Sequence, residues 1–178
     1  MVDTMIPDLV ATLADALRQR GEMLATAESC TGGLIAGACT DLAGSSDWFE
    51  RGFVSYSNAA KTDLLGVPAA LIDAHGAVSQ PVALAMAEGA LRRSPAQWAV
   101  AVTGVAGPGG GTATKPVGLV WLAWARRGAD GSISARAVAQ QFPGDRAAVR
   151  QATIGCALQG LLDDLTTLPT SNTTTGAA

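Results

Sequence analysis

A hydroxyl, a thiol and a second hydroxyl follow one another at Ser29, Cys30 and Thr31, within Thr26-Ala27-Glu28-Ser29-Cys30-Thr31-Gly32-Gly33. Apolar residues lead into this stretch and an amphipathic run leaves it, which is the pattern of a strand, a tight turn and a helix start. The free N–H groups of such a turn, with the helix dipole, favour a carboxylate, a phosphate or a developing oxyanion. The glycine pair lets a ligand approach the backbone. Ser29 is the candidate nucleophile; the competing reading is a helix cap, for which Ser and Thr are preferred residues. A serine nucleophile needs a base, and the chain offers few. His75 is the only histidine. It stands at an expected helix end beside Gly76, where the dipole favours it without any catalytic role. The two lysines are Lys61 and Lys115. Lysine acts as a base when its pKa falls from ~10.4 toward ~7–8. Lys61 is the better placed, on a helix opened by Asn58 and just after Tyr56; the alternative is an exposed helical lysine. Glu28 can orient Lys61 or pair with an arginine. Tyr56 can relay a proton, stack on a ring, or simply fill a half-buried strand position.

A second group of residues suits anion binding. Gly144-Asp145-Arg146 opens a helix and joins backbone donors to a guanidinium, a good phosphate site, unless Arg146 is merely solvated. Arg150, one turn on, reads equally as an exposed ion-pair partner. Thr103-Gly104-Val105-Ala106-Gly107-Pro108-Gly109-Gly110-Gly111 can cradle a ligand. It lacks the spacing of a phosphate-binding P-loop and of a dinucleotide fingerprint. Lys115-Pro116 closes that loop or forms its rim.

The elements that must position these groups follow from periodicity and punctuation. Residues 4 to 20 read as a helix ended by Gly21. Met23 to Ala27 is a short strand, and the helix after Gly32 runs to about Leu42. Phe49 to Ser57 contains a strand. Asn58 can cap a short helix closed by Gly66, and Pro68 begins another that His75-Gly76 leaves. Ser79 can cap a helix from Gln80 to Arg93. Trp98 to Val102 suits a central strand; Val117 to Ala125 and Ile133 to Gln141 are two more. A last helix capped by Asp145 reaches about Leu165. Helices on both faces of the sheet would bury these strands. The expected fold is an α/β protein, a three-layer α/β/α sandwich with a mixed, mainly parallel sheet. In such folds ligands sit at the carboxyl ends of strands, where the Ser29 turn and the Thr103–Gly111 loop can meet. Residues 1–165 read as a single domain, and 166–178, rich in Thr, Ser and Gly, as a disordered tail.

Composition narrows the classes. The 178 residues are 48% hydrophobic and 15% charged, enough for one sizeable core. A net charge of -3 carries no basic nucleic-acid footprint. Cys30, Cys39 and Cys156 are odd in number and lack C-x-x-C spacing, against a disulfide framework or zinc site. Reduced thiols in the cytoplasm fit best, with Cys39 and Cys156 as small core residues. No signal peptide is legible, and no apolar run reaches the ~18 residues of a membrane span.

Several motifs then agree in order: Thr26–Gly33, Gly44-Ser-Ser-Asp-Trp-Phe-Glu-Arg-Gly52, Tyr56-Ser-Asn-Ala-Ala-Lys61 and His75-Gly-Ala-Val-Ser79, followed by Thr103-Gly-Val-Ala-Gly-Pro108, Lys115-Pro-Val-Gly118 and Gly144-Asp-Arg146. Over roughly residues 5 to 165 the chain resembles the CinA C-terminal-domain family in its stand-alone form. That resemblance implies hydrolysis of the carboxamide of nicotinamide mononucleotide to nicotinate mononucleotide and ammonia, within pyridine-nucleotide recycling. It implies a Ser-Lys mechanism with no metal and no cofactor. Ser29 would attack, Lys61 would take its proton, and Tyr56 would assist the base or position the ring. Backbone groups around Cys30, Thr31, Gly32 and Gly33 would hold the oxyanion. Asn58, Thr103, Gly104, Gly107 and Arg146 would complete the substrate site, with the Thr103–Gly107 loop and Arg146 on the ribose phosphate. A homo-oligomer, a dimer or higher, is implied as well, with a small nucleotide as partner and no nucleic acid or membrane. Gly109-Gly110-Gly111-Thr112 departs from a more acidic, polar version of this loop in some members. The N-terminal cofactor-like domain of longer members, with its activity, is expected to be absent. The alternative from another class is a non-catalytic nucleotide- or partner-binding module linked to competence or DNA damage. A third possibility is the same Ser-Lys chemistry on another small amide.

Overall fold

The computed structural model describes residues 5–169. Its elements are α1 (Met5–Arg20), β1 (Leu24–Glu28), α2 (Leu34–Thr40), β2 (Phe49–Val54), α3 (Asn58–Leu65), α4 (Ala69–His75), α5 (Gln80–Arg92), β3 (Trp98–Gly104), β4 (Leu119–Arg127), β5 (Ile133–Gln141) and α6 (Arg146–Thr167). The five strands lie in the order β2-β1-β3-β4-β5. β1 pairs parallel with both β2 and β3. β4 runs antiparallel to β3, and β5 antiparallel to β4. Four strands therefore share one direction and β4 alone opposes them. The sheet is mixed, as expected, with its pairings divided evenly between the two kinds.

Side-chain alternation along the strands makes the two helical layers different. One face carries Leu24, Trp98, Val100, Val102, Val120, Leu122 and Trp124, which pack under α1, α2 and α6. The other carries Ala25, Ala27, Ala99, Ala101, Ala123 and Ala125, and α5 settles closely on that flat alanine surface with α3 and α4 beside it. On the first face, Trp124 takes the room beside Gly160, where a Cβ would overlap the indole, and its Nε1 donates to the Ala157 carbonyl at 2.8 Å.

Strand order reverses between β1 and β3. The chain leaves β1 over the α2 face toward β2, and returns past β1 over the α5 face to β3. Their carboxyl ends diverge there, and a crevice opens. Three local expectations need correction. Ser57, not Asn58, caps α3: its hydroxyl accepts from the Ala60 N–H, and Asn58 is the first helical residue. Ser79 does not cap α5 through its side chain; its hydroxyl donates to the Gly76 carbonyl at 2.7 Å. Thr166 and Thr167, placed in the tail by composition, are helical, with both hydroxyls donating to the Asp163 carbonyl. The part of that expected tail from 170 to 178 lies outside the described residues.

Candidate active site

β1 ends in a buried carboxylate, and that carboxylate builds the turn. Glu28 Oε2 accepts from Thr31 Oγ1 at 2.6 Å, from Gly33 N at 3.0 Å and from Ile35 N at 3.0 Å, while Oε1 accepts from Ala36 N at 2.8 Å. The α2 N-terminus is therefore already filled by an internal anion, a favourable arrangement with the helix dipole. Glu28 neither orients Lys61 nor pairs with an arginine, as its sequence position allowed. Gly32 and Gly33 take positive φ of 61° and 98°, which reverses the chain before α2.

Ser29 sits on the near side of this turn, its N–H fixed to the Val102 carbonyl at 3.0 Å. Its Oγ lies 3.0 Å from Lys61 Nζ. Lys61 is 1% exposed and also donates to the Ser55 and Tyr56 carbonyls, at 2.9 and 3.2 Å. Among the described residues no carboxylate lies within ion-pair distance of it. Burial lowers its pKa from the ordinary lysine value, against a smaller opposing pull from Cys30. A neutral amine here can spend both N–H bonds on the two carbonyls and aim its lone pair at the Ser29 hydroxyl. The thiol next door is the wrong nucleophile: burial pushes Cys30 up to about 11, so it stays protonated near neutral pH.

Two of the turn's donors are already spent, and of its residues only Ser29 and Cys30 line the cavity. Gly32 N–H goes to the Ser29 carbonyl and Gly33 N–H to Glu28, so neither faces the cavity as expected. Among the described residues, the Cys30 and Thr31 N–H groups have no acceptor in another residue. Ser29, Cys30, Tyr56, Asn58, Lys61, Thr103, Gly104 and Arg146 line one cavity of about 210 Å³, walled also by Ala77, Val78 and Ala106. A second cleft of about 630 Å³ adjoins it through the shared residues Ala106 and Arg146, and continues along Pro108, Gly144, Ala147 and Arg150.

The structure thus brings together most of the residues singled out in the sequence, but with altered roles for some. Tyr56 meets Lys61 through its main-chain carbonyl; the residue is 58% exposed and its hydroxyl accepts from Arg146 Nη2 at 3.0 Å. Arg146 Nη1 donates to the Gly107 carbonyl at 2.9 Å, which ties the glycine loop to α6, while Gly107 itself lines neither cavity. Thr103 directs its hydroxyl to the Ala77 carbonyl at 2.9 Å, tying β3 to the segment after α4. Gly104 leaves no room for a Cβ against the Leu119 carbonyl, 2.7 Å away. His75 is exposed at the end of α4, away from Ser29 and Lys61 in the bonding network, and its carbonyl accepts from Lys115. One participant was missed by the sequence reading, the Ser55 carbonyl; Arg150, which it allowed as an exposed ion-pair partner, is half-buried and its Nη2 donates to the Thr31 carbonyl at 2.9 Å. A main-chain carbonyl leaves no signal in residue types. Arg150 had one, its four-residue spacing from Arg146 on a helix face.

A model of the CinA C-terminal domain matches residues 7–165. The chain belongs to the CinA C-terminal domain family. This CinA domain is 49% identical over 161 residues to the nicotinamide-nucleotide amidohydrolase PncC of Escherichia coli K12, covering 90% of the chain and 95% of that protein. It is 55% identical over 159 residues to PncC of Pseudomonas putida, covering 88% and 95%. A CinA-like protein of Akkermansia muciniphila is 55% identical over 147 residues, which are 83% of this chain but 34% of that longer protein. The crystal structure of the competence/damage inducible protein CihA from Agrobacterium tumefaciens superposes with a TM-score of 0.83 at 49% identity, over 90% of this chain and 95% of that one.

Proposed function

We propose that this CinA domain hydrolyses the carboxamide of nicotinamide mononucleotide, releasing ammonia and nicotinate mononucleotide. The observation that carries the reading is the contact of 3.0 Å between Ser29 Oγ and the buried, carboxylate-free Lys61 Nζ. Relatives named for that activity share about half of the sequence over nearly their whole length.

Neutral Lys61 takes the proton of Ser29 Oγ as the oxygen attacks the amide carbon. The N–H groups of Cys30 and Thr31 receive the oxyanion, and a donor of that kind is worth about 3–4 kcal/mol. The lysinium then protonates the departing nitrogen, ammonia leaves, and an ester to Ser29 remains. Water attacks that ester, Lys61 takes its proton, and Ser29 recovers the hydrogen as nicotinate mononucleotide departs. The ring and carboxamide fill the smaller cavity beside Thr103, Gly104 and Asn58. The ribose phosphate lies in the larger cleft at Arg146 and the start of α6, where Tyr56 flanks the passage between the two.

The reaction belongs to residues 1–165 as a single domain, in the cytoplasm, where its three free cysteines stay reduced. It works as a homo-oligomer, which analytical ultracentrifugation tests: a monomer at all working concentrations refutes that part. The decisive experiment measures ammonia from nicotinamide mononucleotide with wild-type protein, Ser29→Ala and Lys61→Ala. Loss in both variants is expected. Unimpaired Ser29→Ala defeats the nucleophile, calorimetric binding without product points to a non-catalytic module, and turnover only of other small amides reassigns the substrate.

A further inference from the structure

We propose that Arg150 is a positioning residue that couples the phosphate end of the site to the oxyanion turn. The proposal rests on the amidase reading for the identity of the two ends.

Arg150 stands four residues after Arg146 on α6, and so on the same helix face. It lines the larger cleft with Gly144, Asp145, Arg146 and Ala147. From that wall its Nη2 reaches across to the Thr31 carbonyl at 2.9 Å, and the same nitrogen lies against Gly32, 3.7 Å from where a Cβ would stand. No carboxylate neutralises it among the described residues, and its Nε is buried without a hydrogen-bond partner. Asp145, the acid in that wall, is committed to the Ala148 N–H at 2.9 Å. A half-satisfied guanidinium in a cleft that receives an anion will bind that anion with its remaining donors.

The consequence lies in what Arg150 holds. Thr31 is fixed on one side by Glu28, through its hydroxyl, and on the other through its carbonyl, which accepts from Arg150 at 2.9 Å and from the Leu34 N–H at 3.3 Å. Its N–H, opposite that carbonyl in the next peptide plane back, is one of the two donors that the amidase reading assigns to the oxyanion. A phosphate that draws on Arg150 sets the angle of the Thr31 peptide and of the turn. Phosphate binding at a distance from the amide carbon is thereby converted into better donor alignment in the transition state, the use of remote binding energy that raises kcat rather than lowering KM alone.

Two readouts test this. The first follows backbone amide shifts as ribose 5-phosphate is added to the full chain. In wild type, the amides of Gly144 to Ala147 move, and those of Cys30 and Thr31 move with them. In Arg150→Met the first set still moves and the second loses most of its response; Arg150→Lys restores part of it. The second compares nicotinamide mononucleotide with nicotinamide riboside. Arg150→Met lowers kcat for the nucleotide about 10–100-fold and lowers kcat for the riboside by clearly less, so the benefit of the phosphate shrinks. A loss in KM alone makes Arg150 a simple phosphate contact, and an equal kcat loss on both substrates makes it a structural prop; either overturns the proposal. So does a wild-type titration that moves α6 but not Thr31, or that moves neither. Coupled shifts without any ammonia release remove the amidase reading and leave the coupling standing, whereas turnover without coupled shifts does the reverse.

Discussion

In the proposed mechanism Lys61 works only while it is neutral, and its surroundings decide when that holds. Burial lowers its pKa from the ordinary value, so kcat/KM is expected to rise with pH through one ionisation lying below the ~10.4 of a free lysine. Lys61→Ala lowers the rate by about 10²–10⁴-fold, the usual contribution of a positioned base. Lys61→Arg fails to rescue it, because a guanidinium stays protonated. A pH–rate profile of the three proteins decides the point; an unshifted lysine-like ionisation in wild type refutes the buried base. Stability carries the same signature with a definite sign. Between the folded and unfolded pKa of Lys61 the native state binds fewer protons than the unfolded chain, so stability rises with pH across that window and is lost as pH falls through the folded value. Urea unfolding of wild type and Lys61→Met from neutral pH to about 10 is expected to show wild type gaining on the variant. Parallel curves mean that the amine is not desolvated. The place of Ser29 between a strand and a helix was legible because that setting is recognisable in residue types. The pairing with Lys61, thirty-two residues away, was only one of several options, since contact between two elements is not written in either of them.

At the level of elements, two devices hold that pairing. Glu28 converts the start of α2 from an anion receptor into a closed unit, a role invisible in the sequence because a carboxylate four donors deep looks like any other acid before a turn. Glu28→Gln replaces one acceptor oxygen with an amide nitrogen that faces N–H donors. It is expected to cost about 1.5–3 kcal/mol in urea unfolding and to lower kcat more than it raises KM, because the Cys30 and Thr31 donors lose their mounting. A variant with wild-type stability and kcat removes Glu28 from the construction of the turn. The second device is the seat of α3, the helix that carries Lys61. Gly89 on α5 sits so near the Leu65 carbonyl that a Cβ there would overlap it. Gly89→Ala must push α3 away, at about 1–3 kcal/mol for overpacking, and the displaced Lys61 makes activity fall in protein that remains folded. Helix starts were legible wherever the side chain could reach its own backbone, as at Asp145, whose carboxylate accepts from the Ala148 N–H. They were misread by one residue at Asn58, where Ser57 competes for the same role and wins.

For the molecule as a whole, the order of elements and the apolar strands between helices pointed to a layered α/β sheet before any contact was known. What composition could not supply was the placement of β1 beside β3, which joins the Ser29 turn, the Gly107 loop and α6 around one crevice. That crevice is assembled from segments more than a hundred residues apart in the chain, so a nucleotide lying across it binds the native state and not the unfolded one. Nicotinate mononucleotide at 100 times its Kd is therefore expected to add about 2.7 kcal/mol to stability, raising Tm by roughly 5–10 °C for a domain of this size. Ser29→Ala keeps most of that shift, because in the proposed mechanism the hydroxyl acts on the carbon in transit and contributes little to holding the product. Arg146→Ala loses most of it, since its guanidinium joins Tyr56 and the Gly107 carbonyl at the passage to the phosphate cleft. Equal shifts in the two variants, measured by thermal unfolding with and without the nucleotide, would place the ligand somewhere other than between the ends of β1 and β3.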